Sequence, residues 1–335
     1  MAASSGSARK AYLWIVVVAV ALFLALTAAW YFLAAQLDTR IDATIEAAAA
    51  NGVEIGCPNR AVVGYPFRLG LSCDAVTVDP RGEGLRLAAG GLRTAAQIYQ
   101  PNQVVSELGS PLIVDSPEAP PLDIRWQLAQ ASASFWTEGL DRFSLVVEAP
   151  DVALAQPAAG RLPLATAEHL EVHVRRRDAD LDLAVTDRGI RIVAPEMPAL
   201  PAFDVALDAT IAGAANWLAG GAGGTLREAM ADRDATLRAL TIDSGDAGAE
   251  LSGTFRFDAD GELSGDFELA VTDPQQIAAL VAEALPPLAS VANSIAAAVG
   301  FIGRQENGWT VIGLNVRDGD VSAGVIPLGS VPPLQ

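Results

Sequence analysis

The feature that most constrains this chain is an uncharged apolar run near its N-terminus, from Ala11 to Ala35. A helix needs about 20 apolar residues to cross the hydrocarbon core of a membrane, so this run is long enough. Arg9 and Lys10 precede it and Asp38 is the first charged residue after it, which predicts a cytoplasmic N-terminus. A cleaved signal peptide is the alternative, but its apolar region would be only about 7–15 residues long. We therefore predict an uncleaved single-pass anchor.

The rest of the chain is divided by changes in its pattern. Residues 1–10 are predicted to form a cytoplasmic tail, 11–35 the transmembrane helix, 36–52 a helical stalk that stops at Asn51-Gly52, and 53–335 a β-rich region outside the cytoplasm. A formal net charge of −18 repels phosphate backbones, so nucleic acid is excluded as a partner. The sequence lacks an Asn-x-Ser/Thr glycosylation site, which favours a bacterial periplasm over a eukaryotic lumen.

Beyond the stalk, apolar and polar residues alternate with a period of two, as they do within 180–185 and 263–271. This pattern is typical of antiparallel strands with one dry and one wet face. We predict a mainly β fold, an antiparallel hairpin meander in one or two curved sheets, with the N-terminal transmembrane and stalk helix and a C-terminal apolar helical pair.

Several hairpins can be placed by register, because a slip of one residue would turn apolar side chains to the wet face. Pairing Phe257 with Leu263 leaves a three-residue loop that ends at Gly261. Pairing Val316 with Val321 leaves Asp318-Gly319 as a two-residue type I′ turn. Extending this ladder predicts the pairs Leu314–Ala323 and Ile312–Val325, and a turn near Gly189 predicts the pairs Val185–Ile190 and Leu183–Ile192.

Two helical regions are expected to interrupt the strands, at Thr225–Asp234 and at Pro274–Phe301, the second broken at Pro286-Pro287. A second membrane span between Pro287 and Gly303 is an alternative, but that segment is short and carries polar residues. Pro-rich connections at Ser116–Pro121 and Pro195–Pro201 can each separate subdomains, and a boundary is expected near 195–201.

Motifs that could carry chemistry are few. His169 and His173 have the spacing of a helical zinc site, but their neighbours alternate as in a strand, where four residues span about 13 Å, too far for one metal. Arg175–Arg177 is best explained by pairing with nearby acidic strand residues, and Gly220–Gly224 by a flexible hinge. We predict no catalytic residue, metal site or cofactor.

The two cysteines, Cys57 and Cys73, lie on the outer side of the predicted anchor, where two thiols suggest a disulfide. A turn centred on Tyr65 places them opposite each other, which predicts a cross-strand disulfide and a hairpin tip at Gly64–Pro66. Redox chemistry is the alternative, but the sequence has no C-x-x-C motif.

The segment Val63–Cys73, with the membrane helix before it and Tyr99-Gln-Pro after it, resembles a bacterial envelope family catalogued as domain of unknown function 2125. The resemblance covers most of the chain, and it implies an inner-membrane or periplasmic location without an assigned activity. An anchor followed by one-sided β meanders is also similar in architecture to AsmA-like envelope proteins, which are implicated in lipid traffic. The residues of the family motif are Gly64, Tyr65, Pro66, Phe67, Arg68 and Leu69.

These patterns lead to one expectation about function and two alternatives. We expect a non-enzymatic periplasmic protein, anchored in the bacterial inner membrane, that binds lipid or another acyl ligand on the apolar face of its sheet. The first alternative is a scaffold for another envelope protein with a closed core, and the least supported alternative is a periplasmic hydrolase. The candidate ligand-facing residues are Phe255, Phe257, Leu263, Phe267, Leu269, Ile312 and Leu314.

Overall fold

A computed structural model describes residues 5–81, 84–117, 119–137, 139–156, 160–194, 200–220 and 225–334. The chain divides into two compact units, the first comprising residues 1–109 and 113–119 and the second residues 110–112 and 120–335. This division lies beside the Pro-rich connection at 116–121. The connection at 195–201, where the boundary was expected, falls largely on residues 195–199, which lie outside the described residues. The strands on either side of it pair directly with each other, and the expected boundary there stays a prediction.

The first unit begins with one long helix, α1 (Ser5–Ala50), which contains both the apolar run and the predicted stalk. Among the described residues it is the helix long and apolar enough to cross a membrane. It ends where predicted, at Asn51 and Gly52, and Gly52 has a φ of 84° that glycine adopts without strain.

Short antiparallel strands follow α1 and form two ladders. One ladder joins β1 to β4 and β4 to β5, and the other joins β2, β3, β6 and β7 in that order. The strands are β1 (Val53–Gly56), β2 (Ala61–Val63), β3 (Arg68–Cys73), β4 (Val76–Pro80), β5 (Arg86–Ala89), β6 (Leu92–Gln97), β7 (Gln100–Leu108) and β8 (Leu112–Ser116).

The second unit contains the predicted meander. Its long sheet runs in the order β10, β11, β14, β15, β16, β17, β18, β19, β21, β22 and β23, with every neighbouring pair antiparallel. A smaller ladder joins β9, β12 and β13, and β13 also pairs with the end of β15.

The bounds of these strands are β9 (Ala119–Arg125), β10 (Leu128–Trp136), β11 (Gly139–Glu148), β12 (Asp151–Gln156), β13 (Gly160–Thr166), β14 (His169–Arg177), β15 (Asp180–Ile192), β16 (Phe203–Ile211), β17 (Asp234–Ser244), β18 (Ala247–Phe257), β19 (Leu263–Val271), β20 (Arg304–Glu306), β21 (Trp309–Arg317), β22 (Asp320–Ala323) and β23 (Ile326–Ser330). The helices are α2 (Leu226–Met230), α3 (Pro274–Ala284) and α4 (Ala289–Ile302), and 3-10 turns occupy Ala215–Ala219 and Pro286–Leu288.

Two of the predicted hairpin registers are confirmed. Phe257 is the partner of Leu263, and Gly261 has the positive φ that closes the three-residue loop. Val316 is the partner of Val321, and Asp318 and Gly319 both have positive φ, as a type I′ turn requires.

Two further register predictions are wrong. β22 ends at Ala323 and the chain turns at Gly324, so Ile312 does not pair with Val325, which is 98% exposed. Gly189 does not turn the chain back either, because β15 continues through it as one strand. Its positive φ coincides with a register shift against β16, which identifies a bulge.

The same correction applies to the side chains around that bulge. Val185 pairs with Val172 on β14 and Leu207 on β16, rather than with Ile190. Leu183 pairs with Val174 and Ala209, rather than with Ile192. A glycine between alternating apolar residues can serve a bulge as well as a turn, and here both neighbouring strands continue the ladder.

The helices differ from the predictions mainly in length. α2 is a single turn, with a capping box between Thr225 and Glu228, because β17 already begins at Asp234. The expected hinge falls on residues 221–224, which lie outside the described residues. α3 and α4 are separated at Pro286-Pro287 as predicted, and α4 is too short for a second span and buries one side against the sheet.

The disulfide between Cys57 and Cys73 is present, with the two Cα atoms 5.2 Å apart. The strand pairing expected around the disulfide is not observed. Ala61 pairs with Ser72 and Val63 pairs with Gly70, which moves the tip of the hairpin to residues 64–67. Cys57 directly follows β1 and Cys73 ends β3, so the disulfide connects the two ladders of the first unit.

Replacing both cysteines with serine should destabilise the first unit by about 3 kcal/mol, because the disulfide closes a loop of 16 residues in the unfolded chain. The measurement is denaturant unfolding of the full chain, with reduced wild-type protein expected to match the variant. Thiol labelling of the non-reduced, denatured wild type should be negligible, and labelling at two sites per chain would contradict the pairing.

Candidate functional site

The family motif forms the tip of a hairpin, which we call the motif hairpin (β2, the loop at residues 64–67 and β3). The Arg68 amide donates to the Gly64 carbonyl at 2.8 Å and closes the loop. Gly64 has a φ of 107°, and a Cβ there would lie 2.8 Å from the Arg68 carbonyl oxygen. Only glycine fits this position without a backbone shift, which accounts for the first residue of the motif.

The motif hairpin packs against the C-terminal part of the apolar run of α1. The hydroxyl oxygens of Thr27 and Tyr65 lie 2.8 Å apart and share a hydrogen bond. The Trp30 indole Nε1 donates to the Arg68 carbonyl at 2.7 Å, and its ring meets Tyr65 edge to face at 5.4 Å. Trp30 is only 7% exposed, so the hairpin covers an aromatic side chain that α1 alone would leave exposed.

Two ion pairs hold the first unit to the part of α1 that follows the apolar run. The Arg60 guanidinium lies 2.8 Å from an Asp38 carboxylate oxygen and 2.6 Å from one of Asp42. The two aspartates are one helical turn apart, so a single guanidinium can bridge them. Sequence analysis identified the motif but missed its docking on α1. The available signal was a tryptophan within the apolar run, which needs a hydrogen-bond partner when it is buried.

The second candidate site is an apolar cavity of about 300 Å³ between the sheet and the helices α3 and α4. Its floor comes from β17, β18, β19, β21 and β22, whose inward side chains share one face because strand residues alternate. Asp273 caps the N-terminus of α3, where its side chain accepts hydrogen bonds from two backbone amides. The helix turns Ile277 and Leu280 to the sheet. The volume is at the lower end of the usual range for ligand pockets.

Every described side chain that lines the cavity is aliphatic, aromatic or proline. Leu285 lines it and is also 52% exposed, so the cavity reaches the surface beside the junction of α3 and α4. Water gains little in such a space, because none of these side chains offers it a hydrogen bond. The arrangement therefore favours a hydrocarbon ligand, whose polar end would stay at the surface.

Only some of the residues predicted to face a ligand line this cavity. Four of the seven residues line it and three do not. Phe255 and Phe257 lie further along β18, where Phe255 stacks on Phe267 at 6.0 Å and meets Phe257 edge to face at 5.7 Å. Ile312 is buried in the core beside it. The lining residues from the predicted set are Leu263, Phe267, Leu269 and Leu314.

The opposite face of the long sheet is a ladder of ion pairs. Arg175 donates to Asp182 at 2.9 Å, and Arg177 lies 3.6 Å from the same carboxylate. Burial opposes ionisation of Asp182, but hydrogen bonds from Thr210 and Arg175 outweigh it and lower its pKa. Arg176 faces the other way and lies over the Trp136 ring at 3.8 Å. Arg175 and Arg177 therefore pair with a nearby acidic strand residue, as predicted for the arginine cluster.

The two histidines also belong to a polar network. His169 lies 3.0 Å from Glu148 through Nδ1 and 2.9 Å from Glu171 through Nε2. His173 lies 2.9 Å from Ser144 through Nδ1. Hydrogen bonds to Glu148 and then Glu171 raise the pKa of His169. In the described part of the chain, no group of three or more His, Cys, Asp or Glu side chains is arranged to hold a metal ion.

The comparison with protein families agrees with the family resemblance that the motif indicated. A family model described as an uncharacterized protein conserved in bacteria, DUF2125, matches residues 30–332. The match begins at the tryptophan that the motif hairpin covers and extends through both units. No curated protein matches the chain. The similarity in architecture to AsmA-like proteins stays a hypothesis.

Replacing His169 with glutamine should change how stability depends on pH. The folded-state pKa of His169 is raised above its unfolded value of about 6.5, so its stabilising contribution is complete below that pH and is lost as pH rises through the folded pKa. Urea unfolding should show a decline in stability above about pH 6.5 that is smaller in His169→Gln than in wild type. His173→Gln is the matched control and should keep the decline, and identical curves for wild type and His169→Gln would refute the role.

Proposed function

The chain belongs to the bacterial DUF2125 family of uncharacterized proteins, and we propose that α1 anchors it in the inner membrane of a bacterial cell with both units in the periplasm. Arg9 and Lys10 before the apolar run and Asp38 after it support this orientation. Tyr12 and Trp14 at one end of the run, and Trp30 and Tyr31 at the other, suit the two membrane interfaces.

The second part of the proposal is that the protein binds an acyl chain of a lipid or fatty acid. The observation that carries it is the apolar cavity of about 300 Å³ that reaches the surface beside Leu285. An empty apolar space of this size costs stability, because the side chains around it lose packing partners. A hydrocarbon chain restores those contacts and needs no polar partner inside the cavity.

Recognition in such a cavity rests on the hydrophobic effect alone. Each buried methylene contributes about 0.8 kcal/mol, or about a fourfold change in affinity, until the cavity is full. The lid consists of α3 and α4, which the 3-10 turn Pro286–Leu288 joins at the entrance. Since the lining, over the part of the chain that the structure describes, includes no charged or hydrogen-bonding side chain, the site selects for chain length and leaves the headgroup to solvent or membrane.

The function is proposed to be non-enzymatic. Among the described residues, the side chains that line the cavity include no nucleophile, acid or base. The acidic and basic side chains on the opposite face of the sheet form ion pairs, such as Arg175–Asp182 and Arg256–Asp234. A scaffold for another envelope protein is the second candidate, and the almost fully exposed Phe301 at the end of α4 favours it.

Filling the cavity tests acyl binding. Ala292 lines the cavity from α4, whereas Ala297 on the same helix is exposed and does not line it. In bacterial membranes supplied with a photoactivatable fatty acid, wild-type protein should crosslink at α3, α4 and the strands beneath them. Ala292→Phe should lose most of this crosslinking because its ring takes the ligand's place, and Ala297→Phe should retain it.

Crosslinks to α1 provide the internal reference, because an anchor in the membrane meets lipid in every variant. Full crosslinking of α1 with none at the cavity in wild-type protein would refute acyl binding and leave the scaffold candidate. Equal loss in Ala292→Phe and Ala297→Phe would point to damaged folding, which thermal unfolding of both variants separates from a blocked cavity.

Topology is tested with reporter fusions. Alkaline phosphatase folds only outside the cytoplasm, where its disulfides form, so a fusion after Gln335 should be active in a bacterial host. A fusion after Lys10 should be inactive. An inactive fusion after Gln335, with an active cytoplasmic reporter at the same position, would overturn the proposed orientation.

A further inference from the structure

We propose that the first unit touches the membrane a second time, through an aromatic patch formed by Tyr65, Phe67 and Tyr99 that inserts into the outer headgroup region. The partner is the lipid surface itself. This inference rests on the proposed anchoring by α1, and it goes further in assigning a contact to the family motif.

The depth of the patch follows from its contacts with α1. Tyr65 shares a hydrogen bond with Thr27, which lies about 4.5 Å closer to the bilayer centre than Trp30 along the helix axis. Trp30 and Tyr31 are the interfacial aromatic residues at the outer end of the apolar run. The tip of the motif hairpin therefore reaches the level of that interface, or slightly below it.

A charged contact limits how deep the unit can lie. Arg60 bridges Asp38 and Asp42, and Asp38 is about 12 Å beyond Trp30 along the helix. Carboxylates that are half exposed, as these two are, belong in water rather than in hydrocarbon. The water boundary therefore lies between Trp30 and Asp38, and only the tip of the hairpin is immersed.

The side chains at this level are aromatic and exposed. Tyr65 is 44% exposed, Phe67 61% and Tyr99 76%. Phe67 and Tyr99 sit on adjacent turns, since the Ile98 amide donates to the Phe67 carbonyl at 3.1 Å. Rings exposed to water at these positions would be unfavourable, whereas the interface favours aromatic side chains. Arg68, exposed beside Phe67, meets the level of the lipid phosphates.

Depth-dependent quenching tests the contact in the full chain, reconstituted in vesicles of phosphatidylethanolamine and phosphatidylglycerol. Single cysteines at Phe67→Cys and Tyr99→Cys carry an environment-sensitive NBD label, and Asn51→Cys is the control. Asn51 is exposed at the end of α1, about 30 Å beyond Trp30 along the axis. One label per chain without reduction confirms that Cys57 and Cys73 remain paired in each variant.

Labels at positions 67 and 99 should emit at shorter wavelength than the label at 51. They should also lose emission when lipids carry a nitroxide at the top of the acyl chain, because interfacial side chains lie roughly 5–10 Å deep. Emission at positions 67 and 99 that matches the control at position 51, from protein that resists carbonate extraction, overturns the membrane contact and leaves the anchor intact. Protein that carbonate extracts overturns the anchor and this inference together.

Discussion

The fold of the second unit depends on one requirement, that a long antiparallel sheet with one apolar face must keep that face from water. Alternation places Leu251, Leu269 and Ile312 on the same face across three neighbouring strands. The chain meets the requirement over β17 to β22 with α3 and α4. Two short helices over several strands leave an incomplete fit, and the cavity is the space that remains. The feature proposed to bind a ligand is thus a consequence of how the core is closed.

Much of the architecture could be predicted because the signals were local. The long N-terminal helix, the broken helical pair and the two hairpin registers each follow from local sequence signals, such as Asp318-Gly319 between alternating apolar residues. The ends of elements were less predictable. Val325 has the right spacing to continue a ladder, but Gly324 turns the chain first. Gly189 looks like a turn in sequence and forms a bulge because β14 and β16 hold β15 straight on both sides.

Contacts between distant segments account for the rest. The pairing of the two cysteines was predictable, but the register around them was not, because Cys57 belongs to the end of β1 rather than to the motif hairpin. Docking of the motif on α1 depends on a tryptophan and a carbonyl 38 positions apart. The four predicted ligand-facing residues that line the cavity lie on the predicted apolar face of the sheet. Distance from α3 and α4 decided which of the seven residues reach the cavity, and the period of the sequence carries no information about that distance.

The hydrogen bond between Trp30 and the Arg68 carbonyl has a consequence for biogenesis. In the proposed topology, the donor enters the bilayer with α1, and the acceptor reaches the other side only after translocation. In that topology the first unit cannot complete its fold while its chain is still in the cytoplasm, and a fragment without α1 lacks the indole that the hairpin covers. Oxidation of Cys57 and Cys73 would also wait for export. The proposed anchoring therefore implies an order of insertion, export and oxidation that is set by the contacts of a single small unit.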